Sequence, residues 1–308
     1  MKKQQIIYVI VVTYKGKQWY DKCFSSLQES TIPVHIVVVD NTPGADDANY
    51  IREHFPEIHI IKTAENLGFG RANNLGMRYA LDHDCDYVFL LNQDAWVEPN
   101  MMELLLEQSM LYPEYGILSP IHTTSDMQHI ETGLLHYLAD YRQTDRHLLE
   151  DLLFDRVKGI YESKYINAAG WLLPRNTLET VGGFDPIYYH YEEDDDYLNR
   201  TRFHKLKIGI VPAARMVHDH RNNNLSITGE KTDYRRHQFL LVQFTDLNCN
   251  RSISAYRRYY IRKWVMALLS GKCNELHRWY SDYHFLGKMR KRIKKSREIN
   301  SYKGRTWL

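Results

Sequence analysis

The segment VFLLNQDAWVEP, residues 88–99, joins an apolar run to a polar loop. The first four residues are typical of a strand buried inside a sheet, and Asn92, Gln93 and Asp94 follow them directly. A metal-binding loop at this place usually carries two acids separated by one residue. Asn92 takes the first of these positions and Asp94 the second, so the segment is a lost metal site, a modified one or an ordinary loop.

Four short β-branched runs in the first 120 residues alternate with segments of helical spacing. The predicted strands are 6–14, 34–40, 58–62 and 86–92, and the predicted helices are 17–30, 45–55, 70–82 and 99–111. This alternation predicts an α/β fold with a mostly parallel sheet and helices on both faces. Ligands bind beyond the C-terminal strand ends of such sheets, so the polar residues at those ends are the first candidates for a site.

The rest of the chain divides into three regions of different character. Residues 121–165 lose the alternation and are expected to form an insertion or a loop on the side of a second substrate. Residues 166–220 return to strand and helix patterns, and the chain after about residue 230 predicts long helices rich in arginine and tyrosine. We therefore expect an α/β domain with the site over 1–228 and a basic helical region over 229–308.

Cysteine spacing and hydropathy bear on the compartment. The four cysteines show neither C-x-x-C spacing nor pairing with histidine, which argues against disulfides and structural zinc. The apolar N-terminal run is short and has no small-residue cleavage site, so it predicts a first strand and not a signal peptide. No apolar run approaches the roughly 20 residues that a bilayer span requires. These features predict a cytoplasmic protein.

The net charge of +2 conceals an uneven distribution along the chain. Residues 251–308 contain 16 lysines and arginines and 3 acids, a formal charge of +13, which leaves −11 for residues 1–250. An acidic body with a basic tail usually indicates a charged partner. Basic and aromatic residues alternate in the tail, so an anionic membrane is one candidate. Packing of the tail on the body and a homo-oligomer contact are the alternatives, and sequence alone leaves all three open.

The segment ENLGFGRANNLGM, residues 65–77, places Gly-x-Gly before a predicted helix. Asn73 stands where a dinucleotide-binding fingerprint has its third glycine, so that fingerprint is weak. A helix N-terminus with Arg71 and several amides nevertheless suits a diphosphate or a base edge. The alternative is an ordinary loop before a helix. The role of Asp40 has two explanations in the same way. At a strand end its carboxylate can accept a hydrogen bond from a ribose or a base, or the residue can belong to a turn.

The segment HYEEDDDYLNR, residues 190–200, carries five consecutive acids. A solvated helix start is one explanation, because the helix dipole favours acids there. The flanking tyrosines favour a functional role, as does Arg200, which lies four residues after Asp196 and can orient a carboxylate. A carboxylate held near a substrate hydroxyl can act as a general base.

Two histidines, His218 and His220, follow the predicted strand IGIVP in the segment MVHDH. A single histidine is more often structural than a ligand. A His-x-His at a strand end, in a chain with acidic loops elsewhere, is about as consistent with metal binding as with a structural role.

Taken in order, these segments resemble glycosyltransferase family 2, the inverting nucleotide-sugar transferases with a GT-A fold. The resemblance covers about residues 5–225 and rests on VVTY, VVVDN, ENLGFGRANNLG, LLNQDA, AAGWLLPR with VGGFD, EDDDYLNR and the late histidine. It implies base and ribose contacts by Thr13, Tyr14 and Asp40, and nucleotide and diphosphate contacts by Asn66, Gly68, Arg71 and Asn74.

The resemblance also implies the catalytic and metal residues. It places Asn92, Gln93 and Asp94 at the Asp-x-Asp position and His218 at the metal. It places Asp194 at the general base, with Glu193 and Asp196 beside it, and Trp171 near the sugar and acceptor.

For the opening segment, the resemblance favours a modified metal site. The last acid of Asp-x-Asp is the usual metal ligand in the family, and Asp94 retains it, while Asn92 keeps an amide oxygen that a hard cation accepts. Oxygen-rich ligands imply Mg²⁺ or Mn²⁺ as the cofactor. The Asn-Gln-Asp segment resembles the corresponding segment of rhamnosyltransferase-like members, so dTDP-rhamnose is the first donor to consider.

The resemblance implies transfer of a sugar from a UDP- or dTDP-linked donor to a glycan or lipid-linked glycan, in the cytoplasm or at the inner face of the membrane. A nucleotide-sugar-forming nucleotidyltransferase is an alternative with a similar sheet. It would need a Gly-rich basic loop after the first strand, where VVTYKGKQW offers only Lys15-Gly16-Lys17. A nucleic-acid-binding protein could use the basic tail, but the acidic body argues against a nucleic-acid partner.

Overall fold

The computed structural model describes residues 4–44, 47–140, 142–145, 147–219 and 229–308. Within these residues, nine strands form one sheet: β1 (Ile7–Thr13), β2 (His35–Asp40), β3 (His59–Lys62), β4 (Tyr87–Asn92), β5 (Ala95–Val97), β6 (Tyr115–Thr123), β7 (Tyr161–Glu162), β8 (Gly170–Pro174) and β9 (Lys207–His218). Their order across the sheet is β3-β2-β1-β4-β8-β6-β9-β5, and β7 also pairs with β9.

Eleven helices occur in the same described ranges. Eight belong to the sheet domain: α1 (Lys17–Gln28), α2 (Asp47–His54), α3 (Phe69–Asp82), α4 (Met101–Leu111), α5 (Thr132–Ala139), α6 (His147–Leu153), α7 (Arg175–Thr180) and α8 (Glu193–Phe203). Three follow in the C-terminal region: α9 (Gly229–Thr245), α10 (Ile253–Leu269) and α11 (Cys273–Asn300). Among the described helices, none combines the length and the apolar character that crossing a bilayer requires.

The first four strands form the parallel half of the sheet, as the alternation predicts. Side chains on one face, such as Val9 and Val11, pack with α1, and those on the other face, such as Ile10, pack with α3. Each fully buried aliphatic side chain of this kind stabilises the fold by about 1.5–3 kcal/mol. Burial of both faces explains why these strands have continuous apolar sequences instead of alternating ones.

The second half of the sheet mixes directions, and six of the nine described strands run the same way. β8 separates β4 from β6 and is antiparallel to both. At the far edge, antiparallel pairing of β5 with β9 sets Ala95 opposite His218. This pairing brings the loop after β4 next to the end of β9, although the two segments are far apart in the chain.

Residues 121–165 contain more regular structure than the loop or insertion that their composition predicts. The second part of β6, helices α5 and α6, and strand β7 all lie in this range. The strand pattern is hidden because Pro120 interrupts it and because the register of β6 against β9 shifts between Pro120 and Ile121.

The C-terminal helices pack directly on the sheet domain. A third hydrophobic core joins α9, α10 and α11 to the loop before α8. In that loop, the buried carboxylate of Asp185 accepts hydrogen bonds from Ser296 Oγ and, at 2.7 Å, from Asn300 Nδ2. The backbone N–H of Gly183 donates to Thr306 O at 2.8 Å. The tail therefore packs on the body, which is one of the three interpretations of its charge.

Candidate active site

A cleft of about 460 Å³ lies at the C-terminal ends of β1, β2 and β4. Its wall includes several of the residues that the resemblance implies, together with two residues of the loop before α8. The lining residues are Val12, Tyr14, Asn41, Asn66, Gly68, Phe69, Asn92, Gln93, Asp94, Tyr189 and His190. The position agrees with the rule that ligands bind beyond the carboxyl ends of parallel strands.

Thr13 and Asp40 lie beneath the loops beside this cleft and are almost fully buried. They occupy paired positions on β1 and β2. One carboxylate oxygen of Asp40 accepts from the backbone N–H of Thr42, at 3.1 Å, and the other has no partner among the described residues. Burial raises the pKa of Asp40. Tyr14, by contrast, is 42% exposed and forms part of the wall, where its ring offers a flat apolar surface.

Asn66 and Asn41 fold the loop before α3 against the end of β2. Asn41 Nδ2 donates to Asn66 Oδ1 at 2.9 Å, and the same oxygen accepts from the Gly68 N–H at 2.9 Å. Gly68 has a φ of +78°, and a Cβ there would lie 2.0 Å from the carbonyl oxygen of Tyr189. The glycine therefore permits close packing of the loop before α8 on the start of α3.

Arg71 and Asn74, on α3, differ in their surroundings. Arg71 is exposed in the first turn and donates to Pro186 O at 3.0 Å. Asn74 is buried, and both ends of its amide bind the backbone of Phe184, at 2.7 and 2.8 Å. The assignment of Asn74 to the donor site is therefore corrected: its hydrogen-bonding groups are used in fixing the loop before α8 to α3.

Gln93 connects the loop after β4 to the end of β1. Its Oε1 accepts from the Tyr14 N–H at 2.9 Å, and its Nε2 donates to the Tyr14 carbonyl at 3.0 Å. A Cβ at Gly16 would clash with the same amide, at 2.0 Å from Oε1. The middle residue of the Asn-Gln-Asp segment thus forms a two-point bridge between two walls of the cleft.

Asn92, Asp94 and His218 converge on one point. His218 Nε2 lies 3.6 Å from Asp94 Oδ1 and 3.3 Å from the Asn92 amide nitrogen. A half-turn of that amide would present its oxygen instead, and adjacent ligands of one small cation have similar separations. These residues therefore fit a divalent cation. His220 lies outside the described residues.

A second group of metal-ligand type shares His218. Potential ligand atoms of His122, Glu131 and His218 lie within 4.8 Å of one another, and all three residues are buried. Glu131 also caps α5 by accepting from the N–H groups of Gly133 and Leu134, each at 2.9 Å. No sequence motif contains His122 or Glu131, and both come from the region expected to be an insertion or a loop.

The acidic segment begins α8 after two residues with left-handed backbone, Tyr191 and Glu192. This conformation is uncommon outside glycine and is concentrated at functional sites. Asp194 is half-buried; its Oδ2 accepts from Tyr165 Oη at 3.2 Å and its Oδ1 from the Asp195 N–H at 3.0 Å. Burial raises the pKa of Asp194, although these hydrogen bonds oppose the effect.

Glu193 and Asp195 differ from Asp194 in their ionisation. Burial, followed by repulsion from Asp194, raises the pKa of Glu193 to about 8 and that of Asp195 to about 9. One oxygen of Glu193 is buried with no partner among the described residues. Burial thus favours the protonated form of both neighbours, and Asp194 receives the hydrogen bonds that favour a carboxylate.

Asp196 points away from the cleft and binds Arg200. Its Oδ2 accepts from Arg200 Nε at 2.8 Å, and both side chains are fully buried. The same guanidinium donates to the carbonyls of Val181 and Gly183, each at 2.8 Å. Burial raises the pKa of Asp196 to about 6, and Arg200 opposes this. The carboxylate of Asp196 is therefore used in holding α8 to the loop before it, and a part for Asp196 in catalysis stays a prediction.

Trp171 lies inside the hydrophobic core and not at the cleft. It is fully buried on β8, and its ring stacks on Phe184 at 6.3 Å and packs beside Tyr197. The expected acceptor contact is corrected, because β8 is central in the sheet and both of its faces are covered. The sequence motif places Trp171 near the site along the chain, but the strand directs its ring away from solvent.

A second cleft, of about 570 Å³, lies on the other side of Tyr165. It is lined by aromatic, acidic and basic side chains: Tyr137, Gln143, Lys164, Tyr165, Glu192, Asp195, Leu198, Asn199, Arg202, Phe239 and Val242. Tyr165 binds Asp194, so this cleft borders the immediate surroundings of the predicted base. Residues 121–165 are predicted to form an insertion or a loop beside a second substrate, but no sequence motif identifies the residues that line this cleft.

Comparison with known proteins identifies related sequences and folds. Residues 8–160 match the profile described as Glycosyl transferase family 2. An N-acetylglucosaminyl-diphospho-decaprenol L-rhamnosyltransferase of Mycobacterium tuberculosis is 25% identical over 69% of this chain and 76% of its own length. The dTDP-rhamnosyl transferase RfbF of Shigella flexneri is 21% identical over 72% of each chain. Rhamnosyltransferase WbbL of Escherichia coli is 24% identical over 72% of this chain and 86% of its own.

Solved structures share the fold at low sequence identity. GalNAc-T7 with UDP, GalNAc and Mn²⁺ superposes with a TM-score of 0.60 at 13% identity, over all of this chain and 56% of that one. Staphylococcus aureus TarS with UDP gives 0.55 at 12% identity, over 96% and 88%. These likenesses confirm the predicted GT-A fold with C-terminal helices.

The family match and the relatives also decide between the function classes. They do not support the nucleotidyltransferase or the nucleic-acid-binding alternative. The prediction of an inverting enzyme that uses a nucleotide-sugar donor is confirmed. Residues 8–160 form a glycosyl transferase family 2 domain, and the protein is a glycosyltransferase with a GT-A fold.

Proposed function

We propose that this protein transfers L-rhamnose, from a dTDP-linked donor, to a glycan or lipid-linked glycan acceptor. The sugar and the acceptor class are suggested by the names of the relatives from M. tuberculosis, S. flexneri and E. coli. The observation that carries the proposal is the convergence of Asn92, Asp94 and His218 at the wall of the first cleft. A charged oxygen, an amide and an imidazole at that point suit a divalent cation bound with a diphosphate.

The first cleft would hold the donor. Tyr14 would face the base at the rim, and the free oxygen of Asp40 would accept a hydrogen bond from the base or ribose if the covering loops adjust. The N-terminus of α3 carries a partial positive charge, and Arg71 adds a full one, so both favour the diphosphate. Tyr189 and His190, which sequence analysis did not assign, would close the cleft from the loop before α8.

Asp94, His218 and Asn92 would hold Mg²⁺ or Mn²⁺. When bound, such a cation supplies positive charge against the charge that develops on the leaving diphosphate. Asn92 supplies no charge of its own, so Asp94 would be the only carboxylate of this set. His122 and Glu131 would lie behind His218, where they can restrict the orientation of its ring.

Asp194 would act as the general base in a single displacement at the anomeric carbon. It would take the proton from the acceptor hydroxyl as that oxygen attacks, while Tyr165 holds the carboxylate in place. Glu193 is the weaker candidate, because its raised pKa leaves it protonated at neutral pH. The acceptor would enter through the second cleft, where Tyr137 and Phe239 offer surfaces for sugar rings and Lys164 and Arg202 offer positive charge.

A panel of nucleotide-sugars tests the donor without knowledge of the acceptor. Purified full-length protein is incubated with UDP- and dTDP-linked sugars, with Mn²⁺ or with a chelator, and release of the nucleoside diphosphate is measured. We expect hydrolysis of dTDP-rhamnose above that of the other donors and a loss of activity with the chelator. Preference for a UDP-hexose would overturn the proposed sugar, and full activity in the chelator would overturn the proposed cation.

A further inference from the structure

Helix α10 presents a stripe of apolar and basic residues to solvent. Arg258, Ile261, Arg262, Val265, Met266 and Leu269 follow the spacing of one helix face, and all are exposed. On the opposite face, Tyr260 and Ala267 are buried, and Tyr260 belongs to the third core. The outward stripe is therefore not needed for packing of the helix on the body.

The apolar part of the stripe extends to the last turn of α10, directly before the turn that joins α10 to α11. Leu269 is 82% exposed, Met266 60% and Leu268 54%. We call Ile261, Val265, Met266, Leu268 and Leu269 the tip surface. Exposed aliphatic side chains at the end of a helix are suited to enter an apolar phase, because transfer of these side chains from water is favourable.

A second exposed apolar surface on α6 provides a comparison within the same molecule. Leu152 is 46% exposed, Leu153 79% and Phe154 67%. That surface has mixed charge: Glu150, Asp151 and Asp155 lie beside it, but Arg156 and Lys158 follow directly and both pair with Asp151. The tip surface lies among cations: Arg258, Arg262, Lys263, Lys272 and Arg278 are on the same two helices or the turn that joins them.

Charge thus selects the partner of the tip surface. Basic residues around an apolar stripe complement an anionic lipid surface, and each one close to such a surface adds about fivefold to binding. Trp264 and Tyr280, beside the stripe, line an apolar groove between α10 and α11 and are residue types favoured at the level of lipid headgroups. The α6 surface, where acids and cations offset one another, lacks this excess of positive charge.

We infer that the tip surface and its flanking cations dock this protein on an anionic bilayer as a peripheral protein. The inference is independent of the sugar and the acceptor. Its test uses flotation of full-length protein with vesicles of phosphatidylcholine alone or of phosphatidylcholine mixed with phosphatidylglycerol. We expect binding to the mixed vesicles only, and release by high salt, because salt screens the charge attraction.

Two variants separate the apolar and the ionic contributions. Leu268→Ser with Leu269→Ser should reduce binding to the mixed vesicles by roughly tenfold or more. Arg258→Gln with Arg262→Gln should reduce it by roughly thirtyfold. The matched control, Leu152→Ser with Leu153→Ser on α6, removes the same apolar groups and should bind as the wild type does. Donor hydrolysis should be unchanged in all three variants, which shows that each is folded.

Three outcomes would overturn the inference. One is that the full-length protein does not bind the mixed vesicles at low salt. Another is that the α6 control loses binding as much as the tip variant does. The third is that the wild type forms an oligomer that the tip variant loses, with no vesicle binding, in which case the tip surface contacts a second copy of the chain.

Discussion

Two parts of the site differ in what holds them in place. The part with Asp94 and His218, called the metal side after their proposed role, is held by strand pairing, whereas the part with Asp194, called the base side after its proposed role, is held by contacts with the C-terminal helices. Asp94 and His218 meet because β5 pairs with β9, so backbone hydrogen bonds fix their positions. Asp194 follows a loop whose buried carboxylate, Asp185, depends on Ser296 and Asn300 for its hydrogen bonds. The metal side is thus built from backbone, and the base side from individual side chains distant in the sequence.

This difference predicts how each side responds to mutation. A ligand on the metal side can be exchanged without moving the strands that carry it, which fits the presence of Asn92 where an acid is usual. A change on the base side alters the packing that positions the loop, so stability and catalysis should fall together. Four variants test this distinction, from the largest expected effect to the smallest.

Asp194→Asn should have the largest effect. The amide cannot accept the acceptor proton, so we expect transfer to fall by about 10²–10⁴-fold while donor binding is retained. Transfer is measured with a lipid-linked glycan acceptor, and donor binding by titration with the nucleotide-sugar. Tyr165→Phe, which removes only the hydroxyl that holds the carboxylate, should have a smaller effect on the same rate. Near-normal transfer by Asp194→Asn would exclude this residue as the base.

Asp94→Ala should remove the dependence of donor binding on Mn²⁺, because only Asp94 contributes a charged oxygen. We expect Mn²⁺-dependent affinity to fall by about a hundredfold or more, since loss of a residue behind a metal ligand already costs 10- to 100-fold. Asn92→Ala should cost less. The free energy of unfolding without metal should be nearly unchanged in both variants. Wild-type Mn²⁺ dependence in Asp94→Ala would place the cation elsewhere, with the group of His122, Glu131 and His218 as the next candidate.

Asn300→Ala tests the base side through stability. It removes a donor to the buried carboxylate of Asp185 and the acceptor of Trp307 Nε1–H, so we expect a loss of about 1–3 kcal/mol in the free energy of unfolding. Asn100→Ala is the matched control, because Asn100 is exposed and its side chain makes no cap hydrogen bond. Urea unfolding measures both. If the two variants are equally stable, the C-terminal contacts do not support the loop.

Glu193→Gln tests the ionisation of the acidic segment and should have the smallest effect at neutral pH. Glutamine resembles a protonated glutamate, so transfer at pH 7 should stay close to that of the wild type. The pKa of Glu193 is about 8 in the folded protein and 4.5 ordinarily. The wild type therefore loses stability as the pH rises from about 4.5 to about 8. The variant lacks that loss and should be more stable at pH 9, on the order of 1–3 kcal/mol. An inactive variant at pH 7 would instead identify Glu193 as the base.

The parallel half of the sheet could be predicted from sequence because its signals are local. Apolar runs of strand length, separated by helical spacing, predict β1 to β4 and α1 to α4 within a few residues. The polar strand ends then give Tyr14, Asn92 and Asp94 as cleft residues. The meeting of Asp94 with His218 is not a local signal, and it followed only from the family resemblance.

The remaining assignments depended on where side chains point, which sequence motifs do not specify. Asn74, Trp171 and Asp196 lie within motifs, but their side chains serve the Phe184 loop, the core and Arg200. Conversely, Glu131 and Phe239 come from segments that carry no motif, and tertiary packing alone brings them to the site or the second cleft. The division into domains 1–228 and 229–308 stays a prediction, and its boundary lies outside the described residues.

The bridge from Gln93 to Tyr14 has a consequence for how the two ligands bind. Because one side chain joins the loop that would hold the cation to the wall that would hold the nucleotide base, ordering either wall by its ligand also orders the other. Such linkage is reciprocal: a cation that tightens nucleotide binding by some factor is itself bound tighter by the same factor when the nucleotide is present. Gln93, the middle residue of the Asn-Gln-Asp segment, would then determine the cooperativity between binding of the cation and binding of the nucleotide.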